Sequence, residues 1–310
     1  MLVTSLLLKG RKSTLHTKCD KMKSPTTRYG IDGTLTDTNM IIGNRDYDLN
    51  NKTYIMGILN VTPDSFSDGG AYNSIEAALK RTEQMISEGA DIIDVGAEST
   101  RPGSEPVTAQ EEMSRLLPII EAIKKNFDIP ISADTYKAAT AKEAIRSGAD
   151  LINDIWGLKA DEGEMARVIA EHGIPCVLMH NRMEAGYKDL IPDMLMDLNE
   201  SLEIADRAGV NRNKIILDPG VGFGKTYEDN LKVLANLNAF NETGLPMLLG
   251  CSRKSVIGKA LELPVDDRLE GTLVTTVLAV QAGYGLVRVH DVKENKRAVD
   301  MLEMVNNHKK

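Results

Sequence analysis

The sequence predicts an α/β protein: a single (β/α)8 TIM barrel with an N-terminal hairpin. Three observations lead there. Eight short apolar runs recur along the chain, each followed by a stretch with helical spacing. None of the eight alternates apolar and polar residues for long, which marks strands buried on both faces, as in a parallel sheet. Gly89, Gly148, Gly173, Gly209, Gly244 and Gly283 each stand between a helical stretch and the next run, and glycine most easily takes the left-handed conformation that ends a helix. A barrel needs about 250 residues, so a 310-residue chain is expected to hold one barrel and not two domains. An open doubly wound sheet is the alternative.

The elements follow in order. Residues 1–27 read as a basic, unstructured extension, because residues 1–28 hold seven Lys and Arg against one acid, Asp20. The apolar start, Leu2 to Leu8, precedes the basic residues, the wrong order for a secretory signal; a transit peptide is the other reading. Residues 28–52, with Gly30, Gly33 and Gly43 between short apolar pieces, are expected to form a hairpin that caps the barrel bottom. Residues 53–310 are the barrel. Its strands are expected at 54–59, 92–96, 131–134, 151–155, 175–180, 214–218, 246–251 and 286–290. Thr108 to Glu111 reads as a capping box, and Met113, Leu116, Leu117, Ile120 and Ile123 continue it as a helix.

Composition removes several function classes. The net charge is −8 and the basic residues crowd the first segment, so the acidic body argues against a nucleic-acid partner. One Trp and four Phe are too few for stacking platforms along a single strand. No apolar stretch approaches the ~20 residues of a membrane span. Cys19, Cys176 and Cys251 form no C-x-x-C pair, which fits a reducing cytoplasm. The five histidines lack the ligand spacing of a structural zinc.

In such a barrel the chemistry sits where strands end and loops begin. The polar residues at those positions are Asn60, Asp94, Glu98, Asp134, Asn153, Asp154, His180, Asp218, Ser252, Arg253, Lys254, Arg288, His290 and Asp291. Charge within an apolar strand, as at Arg288, is costly unless it is paired or used. Asp218 to Thr226 superficially resembles a phosphate loop. Pro219 occupies the first glycine position and Lys225 the last one of the dinucleotide spacing, so a nucleotide cradle is not expected. Plainer roles are expected elsewhere. Asp94 and Asp154 would bond loop backbone, Glu98 would pair with Arg101, His172 would cap a helix, and Lys225 would be a surface cation.

Seven motifs carry a resemblance over about residues 53–306. They are Met56 to Gly70, with Asn60-Val61-Thr62-Pro63-Asp64-Ser65-Phe66 inside it; Asp94 to Gly103, with Glu98-Ser99-Thr100-Arg101-Pro102-Gly103; Asp134-Thr135; Asn153-Asp154-Ile155; Asp218-Pro219-Gly220-Val221-Gly222-Phe223; Ser252-Arg253-Lys254-Ser255; and Arg288-Val289-His290-Asp291-Val292. In this order they resemble the dihydropteroate synthase family, the folate-pathway enzymes inhibited by sulfonamides. Two departures stand out: Ala133 replaces a larger aliphatic residue, and the first 25 or so residues have no family counterpart.

The resemblance implies condensation of a dihydropterin pyrophosphate with 4-aminobenzoate. It also implies Mg²⁺, a homodimer packed through late helices, small-molecule partners with no nucleic acid or membrane, and a cytoplasmic location. Carried over by motif, the catalytic residues are Asp134, Lys254, Arg288 and His290. The pterin would meet Asp134, Asn153, Met179, Asp218, Phe223, Lys254 and Arg288. The pyrophosphate would meet Asn60, Thr100, Arg101, Arg288 and His290. The aminobenzoate would meet Phe66, Thr100, Pro102, Lys254 and Ser255, and Asn60 would be the metal ligand. A pterin-barrel methyltransferase and a non-catalytic paralogue are the competing readings.

Overall fold

Eight parallel strands each form within one of the apolar runs and lead toward the polar residues at its end. The computed structural model of the chain describes residues 39–61, 70–98 and 106–308. The strands are β3 (Tyr54–Asn60), β4 (Ile92–Gly96), β5 (Ile131–Asp134), β6 (Leu151–Asp154), β7 (Cys176–Met179), β8 (Ile215–Asp218), β9 (Leu248–Leu249) and β10 (Leu286–Val289). Their order is β8-β7-β6-β5-β4-β3-β10-β9. A parallel bridge from Leu217 to Met247 brings β8 back to the run leading into β9 and closes the ring. The closed barrel is therefore observed and the open sheet is not. Several strands are shorter than expected; 246–251, for instance, pairs regularly over two residues. Polarity marks where an apolar run ends, but pairing ends where the neighbouring strand diverges.

Helices follow the strands: α1 (Gly70–Glu88), α2 (Ala109–Asn126), α3 (Ala138–Arg146), α4 (Glu164–His172), α5 (Leu190–Ala208), α6 (Tyr227–Ala235), α7 (Ser255–Leu261), α8 (Leu269–Gln281) and α9 (Val292–Asn306). All six expected stop glycines have positive φ, between 56° and 109°. Thr108 accepts from the Glu111 amide at 3.2 Å, but the Glu111 carboxylate turns to Arg115. The expected capping box is thus half formed, and a reciprocal one appears at Thr226 and Asp229 instead.

The barrel bottom is plugged by a hairpin. Strands β1 (Asn39–Ile42) and β2 (Arg45–Asp48) pair antiparallel, turning at Gly43, whose φ of +62° suits glycine. Met40, Ile42, Tyr47 and Leu49 pack on Met56, Ile92, Leu151, Val177, Ile216, Leu248 and Leu286, near the starts of the barrel strands. Each such side chain contributes about 1.5–3 kcal/mol on full burial. The fit leaves no slack: a Cβ at Gly285 would lie 2.7 Å from the Leu49 carbonyl oxygen. Tyr47, the one polar tip in this plug, donates to the Asp91 carbonyl at 2.8 Å. Residues 1–38, including Cys19, Gly30 and Gly33, lie outside the described residues, so the hairpin expectation is met over its second half.

Candidate active site

The strand ends converge on one charged layer. Arg288, in the middle of apolar β10, points into the barrel mouth. Its Nε donates to Asp94 Oδ2 at 2.5 Å and its Nη2 to Asp134 Oδ2 at 2.5 Å. The Asn153 amide donates to the same Asp94 oxygen at 3.4 Å. Burial works to lower the Arg288 pKa, but the Asp94 and Asp134 carboxylates more than reverse it. Burial pushes Asp134 up to about 7, against the pull of Arg288. The other oxygens, Asp94 Oδ1 and Asp134 Oδ1, are buried and make no hydrogen bond among the described residues. Two such orphaned acceptors in one mouth are the mark of a place built for a polar ligand.

Beside this layer lies the β8–α6 loop. Asp218 Oδ1 accepts from the Gly220 amide at 2.7 Å. Burial raises the Asp218 pKa while Lys254 opposes the shift. Gly220 has a φ of +64°, and a Cβ there would lie 1.9 Å from the His180 carbonyl oxygen. No other residue fits that position. The Lys254 ammonium donates to the Val221 carbonyl and lies 4.5 Å from the Phe223 ring centroid, a cation–π distance. Burial lowers the Lys254 pKa, with Asp218 resisting. Met179 is buried next to Gly220. The mouth thus offers carboxylates, an amide, an ammonium and one ring around a common space.

A third group borders the mouth. His290 donates its backbone N–H to Ser252 Oγ at 3.1 Å, and the Ser252 hydroxyl meets His290 Nδ1 at 3.0 Å. The neighbouring Arg253, at a φ of +56°, pairs with Asp291. Ser255 opens α7 and is exposed. Asn60 is exposed at the end of β3, opposite Gly96 in the β3–β4 register. A Cβ on Gly96 would lie 3.4 Å from Asp134, so Asn60 borders the same mouth. Phe66, Thr100, Arg101 and Pro102 lie outside the described residues.

Several expectations are corrected. Asp94 is not a loop brace; it faces the barrel axis and pairs with Arg288. Asp154 does brace its loop, accepting from Trp156 and Leu158 amides at 2.8 and 2.7 Å. Glu98 pairs with Lys137 and accepts from the Tyr136 hydroxyl at 3.1 Å, Arg101 being outside the described residues. His172 Nδ1 meets the Val168 carbonyl at 2.9 Å at the end of α4, as a cap does. Lys225 is no surface cation. Its Nζ is 2.9 Å from His180 Nδ1, from the Gly220 carbonyl and from the Phe223 carbonyl, and burial pushes its pKa down to about 7.

Two further features carry a signal in the sequence itself. Glu112 falls in register with Leu116, Ile119, Ile120 and Ile123 on the buried face of α2. An acid on an apolar stripe announces a partner, and Thr140 and Lys137 supply it. Asp94 follows two isoleucines within a fully buried strand, where a carboxylate must find a cation. A groove of about 580 Å³ between the hairpin and the turn around Gly173 lies at the other end of the barrel, and none of the residues expected at the strand ends lines it.

Mg²⁺ takes oxygen ligands and keeps several waters and substrate phosphate oxygens. Among the described residues no group of three His, Cys, Asp or Glu is placed to hold an ion. The exposed Asn60 amide suits an ion carried largely by a phosphate.

Residues 56–290 match the family of pterin binding enzymes. The dihydropteroate synthase of Clostridium beijerinckii is 57% identical over 267 residues, covering 86% of this chain and 99% of its own. The solved structure of Xanthomonas albilineans dihydropteroate synthase with 4-aminobenzoic acid is 37% identical with a TM-score of 0.83, covering 87% of this chain and 99% of its own. That of the Yersinia pestis enzyme with a sulfonamide drug is 40% identical with a TM-score of 0.81, at the same coverage. Identity at this level over nearly the full length of the relatives, together with the shared closed barrel, means that the chain belongs to the dihydropteroate synthase family.

Proposed function

We propose that the barrel mouth condenses a 7,8-dihydropterin-6-ylmethyl pyrophosphate with 4-aminobenzoate to give 7,8-dihydropteroate and pyrophosphate. The observation that carries this reading is the charged layer of Asp94, Asp134 and Arg288 beside Asp218, Lys254 and Phe223, in a chain so similar to synthases. Asp218 accepts paired N–H bonds from one edge of the pterin. Asn153 serves the other edge, and Lys254 donates to the carbonyl or ring nitrogen. Phe223 and Met179 line the ring faces. Arg288, tied at Nε and Nη2, presents a fixed guanidinium plane.

The pyrophosphate leaves with the electron pair of the C–O bond. Arg288, His290, Asn60, Thr100 and Arg101 are assigned to its charge. Such preorganised donors are commonly the largest catalytic contribution. Asn60 would help to hold Mg²⁺, which would supply counter-charge to the leaving pyrophosphate. The cation left at the methylene is delocalised into the pterin and faces the Asp134 carboxylate. The amine of aminobenzoate then attacks the methylene and gives up a proton. Phe66, Thr100, Pro102, Lys254 and Ser255 are assigned to aminobenzoate. Sulfonamides, which copy it, are expected to compete there.

Product analysis tests the reading. With both substrates and Mg²⁺ the chain should yield dihydropteroate, and with either substrate alone none; no dihydropteroate from the pair would overturn it. The mechanism adds a pH signature. Asp134 must be ionised to face the cation, and burial puts its pKa at about 7. It is protonated below that value, so kcat/KM for the pterin substrate should climb as pH rises through about 7. In Asp134→Asn that limb should vanish and the rate should stay low throughout.

A homodimer is part of the proposal. Val274 and Leu278 on α8, and Met301, Met304 and Val305 on α9, are exposed although large and apolar, and α8 packs beside α9. A patch of this kind calls for a partner, and a second copy is the assignment. Leu278→Asp with Met301→Lys should shift sedimentation from twice the 33.9 kDa chain mass to the chain mass. The cytoplasm is the proposed location. No helix among the described residues is long and apolar enough to cross a membrane, and Cys176 and Cys251 are buried free thiols, at home in a reducing compartment.

A further inference from the structure

Lys225 has no part in the chemistry described so far, yet it is one of the most heavily engaged side chains in the mouth. It reaches back under its own loop. Three acceptors lie at 2.9 Å, Gly220 O, Phe223 O and His180 Nδ1; they match the three protons of an ammonium and favour that form against the burial that lowers the Lys225 pKa. The third is an acceptor only if His180 is neutral with its proton on Nε2. That form is fixed by Asp197, whose Oδ2 accepts from Nε2 at 2.8 Å. Arg182 donates to both Asp197 oxygens, at 2.5 and 3.1 Å. Burial lowers the His180 pKa to about 4 even though Asp197 resists, in keeping with the neutral ring.

A chain of contacts therefore runs from α5, through Asp197 and His180, to Lys225 and the loop after β8. The two carbonyls that Lys225 holds belong to Gly220 and Phe223. Gly220 carries the amide that fixes Asp218 Oδ1, and Phe223 carries the ring beneath Lys254. Beyond Lys225, the loop is pressed against residues 180–182: a Cβ at Gly224 would lie 2.5 Å from the Arg182 carbonyl oxygen. The Tyr187 hydroxyl donates to the Gly224 carbonyl at 2.8 Å.

We propose that Lys225 is a positioning residue for the pterin substrate: its three hydrogen bonds set the β8–α6 loop so that Asp218 and Phe223 meet the ring. The inference rests on the reading of the mouth as a pterin site. Lys225 acts on the pterin through Asp218 and Phe223, so its loss falls chiefly on the pterin; aminobenzoate feels it only at second hand, through Lys254, which rests on Val221 and Phe223 of the same loop.

The test is Lys225→Met in the full-length chain, with steady-state kinetics for each substrate and amide hydrogen exchange. Losing charge-assisted bonds should raise KM for the dihydropterin pyrophosphate about tenfold to hundredfold. KM for 4-aminobenzoate, reached only through Lys254, should rise by less than about fivefold. Exchange should quicken across residues 220–226 and stay slow in β7 and β8. A wild-type pterin KM, or an equal rise in both KM values, would overturn the proposal. Should Lys225→Met not fold, Lys225→Gln decides: with fewer donors it should still raise the pterin KM selectively, and an unchanged KM would overturn the proposal. Failure of the wild-type chain to turn over the pterin substrate would instead remove the reading of the site itself.

Discussion

Arg288→Met is expected to lose activity by about a hundredfold to thousandfold in kcat and folding stability by about 3–5 kcal/mol. Both losses have one origin. The guanidinium bridges Asp94 and Asp134 across the barrel, and the Asp94 side chain is fully buried. Without the cation, two carboxylates face each other in a space with little water, and the leaving group loses a donor. The stability loss has a definite pH dependence. The folded-state pKa of Asp134 is already raised, and removing Arg288 raises it further. Stability from the neutral carboxyl is present at low pH and is lost as pH rises through the folded-state value. The gap between variant and wild type should therefore be constant below about pH 7 and widen as pH rises above it, toward the higher folded-state value of the variant. Urea melts at several pH values check this, and a gap independent of pH would separate the stability loss from the Asp134 charge.

Lys254→Ala is expected to cost about 2–4 kcal/mol of transition-state stabilisation, read as a fall in kcat/KM with both substrates varied. Lys254 lies between the two proposed pockets. Its ammonium touches the Val221 carbonyl and the Phe223 face, and its charge is the main counterweight to the burial of Asp218. Removing it should also raise the Asp218 pKa further, so that the paired acceptor is weakened as the donor is lost. Wild-type kinetics for either substrate would contradict the double assignment. Lys254→Arg keeps the charge but not the compact head, and should recover only part of the loss.

The barrel was legible because its strands are buried on both faces. A run such as Ile131–Asp134 is buried at every position, and continuous burial leaves a continuous apolar signature. The helix ends were legible because a left-handed residue there is nearly always glycine. Strand lengths were less so, since they depend on a neighbour many residues away. The hairpin was visible as glycine punctuation, but its role as a plug needed the side chains of several strands at once.

The charged layer was legible as residues and only partly as roles. Arg288 stands out because charge inside an apolar strand demands a partner. Which carboxylates answer it could not be read: Asp94 is 194 positions away, and Asp154, of the same type at the end of β6, accepts from the local Trp156 and Leu158 amides instead. Lys225 was the hardest. Its neighbours in the sequence are glycines and a threonine, which suggest an open turn. The acceptors that draw it inward are two backbone carbonyls and a histidine from another loop, and a sequence shows neither.

The most direct test of the account is pyrophosphate release by the purified chain supplied with the dihydropterin pyrophosphate and Mg²⁺. Release should depend on 4-aminobenzoate and should fall when a sulfonamide competes with it. Release that ignores 4-aminobenzoate, or its absence when both substrates are present, would contradict the assignment of this barrel mouth to the condensation.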